Sequence, residues 1–218
     1  LWDDVRAKEL NKSVINLISP TNEKEILEIG CGIGGSASYI MECRKFIGTE
    51  LSEVAVSQAN QTFGNRKNFE FFAMDAMNLK FSDNQFDIVI AKEVIEHLPE
   101  PQNAIREAYR VLRPGGLFVV TSPNRDSLHL RINRILGYAD FKCCFDHIKE
   151  YTFREAVDML TMGGFTIKTT RGVFLQPYWG IPEIDQHVRH LTDNDLQTVE
   201  ILRDLGERVG AEYAFCFV

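Results

Sequence analysis

A glycine-rich turn between an apolar strand and a helical segment constrains the fold of this chain more than any other feature. The apolar run Glu25–Ile29 leads into residues 30–35 (GCGIGG), and residues 36–43 have helical character. Glycines in such a turn let the backbone adopt positive φ and approach a ligand closely. Glu50 follows twenty residues after Gly30, where nucleotide-binding folds place a carboxylate that holds ribose hydroxyls. The turn therefore predicts a Rossmann-like fold that binds a nucleotide-like ligand.

Strand and helix patterns alternate along the chain. We predict strands at 25–29, 45–50, 69–74, 86–91, 117–121, 165–170 and 212–217, and helices at 1–18, 53–62, 102–112, 153–162 and 194–208. The turn residues at 113–116 (RPGG) should end the third of these helices. Alternation of this kind predicts an α/β fold, a doubly wound and mostly parallel seven-stranded sheet with helices on both faces.

Composition narrows the class of protein. The chain has 218 residues, a net charge of -7 and five cysteines without Cys-x-x-Cys spacing. The odd cysteine count argues for reduced thiols in a cytoplasmic protein, and the acidity argues against a general nucleic-acid partner. No apolar run reaches the roughly 18 residues of a membrane helix, so no membrane partner is expected. The oligomeric state cannot be read from the sequence.

The glycine turn by itself fits two kinds of enzyme. Gly30, Gly32 and Gly35 match the G-x-G-x-x-G pattern of nicotinamide-dependent oxidoreductases. Glu28, Gly30, Gly32 and Gly34 equally match the E-x-G-x-G-x-G pattern of methyltransferases. In both patterns the glycines admit the ligand and a carboxylate holds its ribose, so the remaining motifs must decide.

Five segments in order resemble the class I S-adenosylmethionine-dependent methyltransferases, including the O-methyltransferases of ubiquinone biosynthesis. The resemblance is strong over residues 25–122 and looser over 147–218. It implies a single methyltransferase domain over residues 1–218 that uses S-adenosylmethionine. Asp75 and the segment 112–116 belong to this resemblance and therefore favour a methyltransferase over an oxidoreductase. The segments are 26–32 (ILEIGCG), 48–52 (GTELS), 74–76 (MDA), 86–98 (FDIVIAKEVIEHL) and 112–116 (LRPGG).

The resemblance implies which residues hold the cofactor. Glu28 would lie beside the methionine end, with the backbone of Gly30 and Gly32 close to it. Glu50 would accept hydrogen bonds from both ribose hydroxyls. The other implied contacts are Leu51 against one face of adenine, Asp75 on the exocyclic amine, the Ala76 amide on a ring nitrogen and the Lys92 backbone along the methionine moiety.

A group of carboxylates and a histidine follows the fourth strand. Glu93 and His97 would share one face of a helical turn, with Glu96 beside them. The group resembles that of metal-dependent O-methyltransferases and of small-RNA 2′-O-methyltransferases, in which His147 would supply a further ligand from the segment 146–152. These four residues are the candidate ligands of a divalent cation. We prefer the metal-free interpretation, in which His97 or His147 acts as a general base or orients the acceptor. Both histidines should meet above the carboxyl edge of the sheet.

Two segments rich in aromatic residues interrupt the alternation. Residues 124–150 and 173–190 are expected to form a small cap over the strand ends that binds the acceptor, with residues 1–18 as a leading helix or lid. The remaining histidines, at 129, 187 and 190, are expected at the surface.

The sequence predicts methylation of a small organic acceptor, at oxygen in preference to nitrogen or carbon. An RNA 2′-O-methyltransferase and a non-catalytic cofactor-binding subunit remain as alternatives. The aromatic residues of the cap are Phe141, Phe145, Phe174, Tyr178 and Trp179.

Overall fold

A computed structural model describes residues 2–142, 144–175, 179–181, 184 and 196–218. Short 3-10 turns occur at Ser36–Tyr39 and Ile95–His97. No helix in the described part of the chain is both long and apolar enough to span a membrane. In chain order the helices and strands are α1 (Trp2–Ile18), β1 (Glu25–Ile29), β2 (Lys45–Glu50), α2 (Glu53–Phe63), β3 (Phe69–Ala73), β4 (Phe86–Lys92), α3 (Pro101–Val111), β5 (Leu112–Pro123), α4 (Leu128–Ile135), α5 (Phe153–Met162), β6 (Gly172–Val173), α6 (Leu196–Val209) and β7 (Cys216–Phe217).

The strands form one seven-stranded sheet in the order β3-β2-β1-β4-β5-β7-β6. Strands β1 to β5 are parallel, and β7 runs antiparallel between β5 and β6. The predicted α/β, mostly parallel doubly wound fold is therefore confirmed. The strand order reverses between β1 and β4, so the carboxyl ends of these two strands flank the crevice where such sheets bind ligands.

The central strands are apolar because both faces of the sheet are covered. Ile26 and Leu27 are consecutive residues of β1, and both are fully buried on opposite faces. Ile26 joins a cluster with Phe46 and Val14 of α1, whereas Leu27 joins one with Val89. A strand buried in this way reads as a continuous hydrophobic run rather than an alternating one.

The predicted strands near the chain's C-terminal end are shorter than expected or absent. Residues 165–170 are not paired as a strand, and β7 comprises two residues where 212–217 had been predicted. Strand β7 pairs with Ser122 and Pro123 of β5 and with Gly172 and Val173 of β6. Residues 211–213 form a turn instead of a strand, because the amides of Tyr213 and Ala214 donate to the Gly210 oxygen at 3.2 and 3.0 Å. Residues 164–170 instead line one side of a groove of about 670 Å³ whose other side is β5.

Two local predictions also need correction. Residues 112–116 belong to β5 instead of preceding the fifth strand, although Gly115 among them has a positive φ of +79°. Leu112 already pairs with Phe86, and the register with β4 shifts immediately afterwards, which accommodates the glycines. The segment after the glycine turn is one short 3-10 turn, Ser36–Tyr39, rather than a helix through residue 43.

Candidate active site

The glycine turn lies at the carboxyl end of β1, as the sequence predicts. Gly30 and Gly32 both have positive φ, +66° and +52°. A Cβ atom on Gly30 would lie 2.5 Å from Cγ2 of Val94, so this glycine is needed for close packing. A Cβ on Gly32 would meet no heavy atom of the chain within 4 Å. Gly32 therefore faces open space, which a ligand can approach.

Glu28 lies directly below the turn and is 1% exposed. Neither of its carboxylate oxygens has a hydrogen-bond partner among the described residues. Burial raises the pKa of the Glu28 carboxyl, and the positive charge of Lys92 partly offsets this rise. A buried polar group without a partner costs stability unless something satisfies it. A ligand bearing positive charge and hydrogen-bond donors, such as the amino-acid end of S-adenosylmethionine, fits this position.

Glu50 ends β2 beside the glycine turn. Its Oε2 accepts a hydrogen bond from the Gly32 amide at 3.1 Å, and its Oε1 accepts from the amides of Leu51 at 2.8 Å and Ser52 at 3.2 Å. These bonds fix the carboxylate at the edge of the open space in front of Gly32. Oε1 already accepts two hydrogen bonds and Oε2 only one, so Oε2 is the oxygen that keeps an acceptor site for the predicted ribose contact.

The residues predicted to hold adenine follow β2 and β3. Leu51 is 75% exposed, as expected of an apolar side chain whose partner would be a ligand ring. Asp75 is exposed, and its Oδ1 accepts from the amide of Met77 at 2.8 Å, which leaves Oδ2 for an amine. Ala76 is partly buried against the core. The carboxyl ends of β2 and β3 are adjacent, so these residues lie on the same edge as Glu50.

Lys92 is the last residue of β4 rather than the residue after it. Its side chain crosses to α1, where Nζ donates to Oδ1 of Asn11 at 2.7 Å. Asn11 also accepts a hydrogen bond from Ser36 Oγ at 3.1 Å. Helix α1 thus covers the glycine turn through Asn11, which the sequence analysis did not identify. The available signal was a polar residue on the apolar face of the helix, next to Leu10.

The two candidate histidines lie together, as the topology predicts. The His97 and His147 ring centroids are 4.8 Å apart, and the rings meet edge to face at 82°. Nδ1 of His97 is 3.5 Å from Asp146, and Nδ1 of His147 is 2.7 Å from Glu150. His147 and Glu150 are buried, whereas the His97 side chain is 35% exposed. His97 is therefore the histidine that a substrate can reach.

Glu96 anchors the segment that carries His147. Its backbone oxygen accepts from the amides of Ile148 at 2.8 Å and Lys149 at 3.2 Å. Its carboxylate is fully buried, accepts from Ser122 Oγ at 3.1 Å and has one oxygen without a partner among the described residues. Burial, reinforced by the charge of Glu93, raises the pKa of Glu96 well above its ordinary range.

The four candidate metal ligands are not all brought together. Ligand atoms of Glu96, His97 and His147 lie within 4.8 Å of one another, and no other member of the predicted set belongs to this group. Glu93 has a positive φ of +53°, and only Ile95–His97 forms a helical turn, so Glu93 and His97 do not share a helical face. Glu93 instead accepts from Thr121 Oγ1 at 2.9 Å.

The two segments of the predicted cap contact each other, with different roles for their aromatic residues. Trp179 lies 5.4 Å from Phe141, ring centroid to centroid. Phe174 is fully buried in the core, and Phe145 is 98% exposed, so neither side chain lines an acceptor pocket together with Phe141 and Trp179. Tyr178, His187 and His190 fall outside the described residues.

His129 is 1% exposed, so the prediction of a surface position was wrong: the apolar face of α4 turns this residue inward.

Comparisons with known proteins identify a methyltransferase domain in this chain. Residues 27–120 match the family described as Methyltransferase domain. A probable S-adenosylmethionine-dependent methyltransferase of Mycolicibacterium smegmatis is 31% identical over 163 residues, which are 74% of this chain and 59% of that protein. Tocopherol O-methyltransferase of Arabidopsis thaliana is 34% identical over 109 residues, 45% of this chain and 30% of that protein. This chain thus spans less than two thirds of the length of either relative.

Solved structures support the fold. The (4+2)-cyclase SpnF superposes with a TM-score of 0.68 at 22% identity, covering 95% of this chain and 78% of that one. The likeness therefore includes the second half of the chain as well as the first. Residues 27–120 thus belong to the methyltransferase-domain family, and the relatives and the fold support a class I S-adenosylmethionine-dependent methyltransferase.

Proposed function

We propose that this chain transfers a methyl group from S-adenosylmethionine to a hydroxyl oxygen of a small organic acceptor. The observation that carries the proposal is the His97–His147 pair above the carboxyl edge of β4 and β5. This edge also holds the open space at Gly32 and the unpartnered carboxylate of Glu28. A cofactor cradle and a substrate-accessible imidazole therefore share one side of the sheet.

The residues at the ends of β1, β2 and β3 would supply the contacts to each part of the cofactor. Glu28 and the glycine backbone would hold the amino-acid end, Glu50 the ribose, and Leu51, Asp75 and Ala76 the adenine. S-adenosylmethionine, when bound, supplies a methyl group already activated toward nucleophiles. The protein's contribution is then to orient the acceptor, exclude water and remove a proton.

His97 is the residue we assign to proton removal. Asp146 lies beside Nδ1 and would orient the ring, which leaves Nε2 to accept the hydroxyl proton of the acceptor. When the acceptor oxygen takes the methyl group, the sulfur–methyl bond would break, S-adenosylhomocysteine would leave, and the hydroxyl proton would move to His97. His147, held by Glu150, packs edge-on against His97 and would fix its position. A nitrogen or carbon acceptor would need the same orientation, and relatives include both O- and C-methyltransferases.

A metal-assisted version of the reaction is the second candidate. The convergence of Glu96, His97 and His147 supports it. The position of Glu93 opposes it, because this predicted fourth ligand lies outside the group and contacts Thr121 instead. A small-RNA acceptor would use the same three residues, but the net charge of -7 disfavours a polyanionic substrate. We therefore prefer the metal-free, small-molecule version.

Calorimetry with separate ligands tests the proposal. We expect S-adenosylhomocysteine to bind, and NAD and Mg²⁺ to give no saturable heat. Release of S-adenosylhomocysteine from S-adenosylmethionine would then be followed across a panel of phenols, aliphatic alcohols and amines. Binding of NAD in place of S-adenosylhomocysteine would contradict the cofactor assignment. Turnover with amines but with no hydroxyl compound would contradict the choice of oxygen.

A further inference from the structure

A second group of metal-ligating side chains lies in the segment that carries His147. One ligand atom each of Cys144, Asp146 and His147 lies within 4.8 Å of the others. Two ligand atoms on one zinc ion are at most about 4.6 Å apart, since zinc–sulfur and zinc–nitrogen bonds are roughly 2.0–2.3 Å long. Cys144 and Asp146 are exposed, so a small movement of their side chains closes the group around an ion. We call these three residues the thiol cluster.

His147 is already oriented as a metal ligand is. Its Nδ1 is 2.7 Å from Oε1 of Glu150, and both side chains are buried. A histidine that binds a metal through one ring nitrogen commonly donates its other N–H to a carboxylate, which fixes the ring and its tautomer. Glu150 is that carboxylate here, so Nε2 of His147 is the nitrogen left for an ion.

The backbone of the thiol cluster is held in place by its neighbours. The amides of Ile148 and Lys149 donate to the backbone oxygen of Glu96. On the other side, Nζ of Lys142 donates to the backbone oxygens of His147 at 2.7 Å and Ile148 at 3.2 Å. The segment is therefore fixed to the turn that follows β4. A segment held in this way loses little conformational freedom when it binds an ion, which favours affinity.

The chemistry of the thiol cluster selects the cation. The Cys144 thiol donates a hydrogen bond to the Asp146 carboxylate, which raises the pKa of the thiol and lowers the pKa of Asp146. A cation that binds both groups displaces the thiol proton to solvent and leaves a thiolate and a carboxylate as ligands. Thiolate and imidazole suit Zn²⁺, whereas Mg²⁺ prefers oxygen ligands. Three protein ligands leave the fourth position of a tetrahedral zinc ion to water.

We propose that Cys144, Asp146 and His147 bind Zn²⁺, and that the bound ion inhibits methyl transfer. The binding stands on the geometry of the thiol cluster, and the inhibition rests on the proposed function. Asp146 lies 3.5 Å from Nδ1 of His97, the ring that it orients for proton removal in that function. Coordination draws the Asp146 carboxylate to the ion and away from His97. The acceptor hydroxyl then loses an oriented base.

Co²⁺ is the probe, because it replaces Zn²⁺ at such sites and absorbs light when it is bound to sulfur. A Cys143→Ser background leaves Cys144 as the sole thiol of this segment. We expect Co²⁺ to give a sulfur-to-cobalt charge-transfer band that saturates at one ion per chain, and Zn²⁺ to displace it. Absence of saturable binding contradicts the proposal. Saturable binding without the band also contradicts it, because the ion then lies at a site without sulfur, such as Glu96, His97 and His147.

Variants in the same background identify the ligands. Cys144→Ser should abolish the band and weaken Co²⁺ binding at least about tenfold. Glu150→Gln should keep the band and weaken binding roughly 10–100-fold, because the His147 ring loses its carboxylate partner. The matched controls are Cys43→Ser, before β2 at the amino edge of the sheet, and Glu53→Gln, in the exposed first turn of α2; neither should change binding. If Glu150→Gln fails to fold, Cys144→Ser decides. A band that survives Cys144→Ser contradicts the proposal.

Turnover measurements separate zinc binding from inhibition. Release of S-adenosylhomocysteine should fall saturably as Zn²⁺ is added and recover when chelator is added. Cys144→Ser should need at least about tenfold more Zn²⁺ for the same inhibition. Protein that shows the cobalt band but keeps or raises its turnover with Zn²⁺ contradicts the inhibition. Protein that shows the band but methylates no acceptor supports the zinc site and contradicts the proposed function.

Discussion

The first half of this chain, which contains β1 to β5, and the second half, which contains β6 and β7, differ in the extent of their strand pairing. In the first half, β1 pairs with β2 over five residues in parallel register, and β4 pairs with β5 from Ile88 to Lys92 in parallel register beyond the shift after Phe86. In the second half, β6 and β7 pair over two residues each. The first half carries the cofactor motifs, and the second carries the cap. The comparison indicates that the proposed cofactor site depends on short-range backbone geometry, whereas the proposed acceptor site depends on side chains brought together from distant segments.

The largest expected effect is on the histidine that joins the two halves. Replacing His97 by Ala should lower turnover by roughly 10²–10⁴, because the acceptor proton loses its base, while S-adenosylhomocysteine affinity is retained. Turnover is measured with an acceptor from the panel, with and without chelator. Lys149→Ala, an exposed position beyond His147, is the control. If chelator alone abolishes the activity of the wild type, the metal-assisted version is favoured. If His97→Ala is fully active, both the metal-free and the metal-assisted versions are contradicted.

The cap should lose stability in acid because of His129. Its pKa is about 4 in the folded protein, against about 6.5 when unfolded, so the folded state binds this proton less tightly. The stability that depends on neutral His129 is complete above pH 6.5 and is lost as pH falls toward 4. The shift corresponds to about 3 kcal/mol.

Urea unfolding of the wild type and His129→Phe between pH 7.5 and pH 4 measures this contribution. The free energy of unfolding should fall more steeply for the wild type, since all other titrating groups are shared. Parallel curves for the two proteins would contradict a buried neutral histidine.

The sequence predicts the first half better than the second for a physical reason. Glu28, Gly30 and Glu50 act through one turn and two adjacent strand ends, so their spacing along the chain fixes their relative positions. The meeting of His97 and His147 could also be predicted, because parallel strands end on a common edge. The burial of His129 could not be predicted. His129 is buried only because Trp179 and Phe215, remote in sequence, cover it.

Glu93 shows why local spacing also fails within the first half. A four-residue separation places two side chains on one face only when the backbone between them is helical. The positive φ of Glu93 directs its carboxylate toward Thr121 instead. A single backbone angle therefore removed one predicted ligand from the cluster.

On the cofactor side, Glu50→Ala removes the acceptor that ties the glycine turn to β2. The loss of charged hydrogen bonds should weaken S-adenosylhomocysteine binding about ten- to hundredfold, or roughly 1.5–3 kcal/mol, by calorimetry. Glu53→Ala, an exposed carboxylate in the first turn of α2, is the control and should bind normally. Equal affinities in the two variants would remove Glu50 from the site.

The smallest expected effect separates backbone strain from ligand contact at Gly32. Gly32 and Gly115 both have positive φ, +52° and +79°, and a Cβ on either would meet no atom of the chain within 4 Å. Replacement of either by Ala should therefore cost a similar amount of stability, about 1 kcal/mol, from backbone strain alone. Gly115 lies near the start of β5, at the opposite edge of the sheet from the glycine turn. Only Gly32→Ala should then weaken S-adenosylhomocysteine binding, because its new methyl group projects into the space in front of Glu50. Thermal unfolding gives the first quantity and calorimetry the second. Similar binding by both variants would mean that the space before Gly32 is not where the cofactor lies.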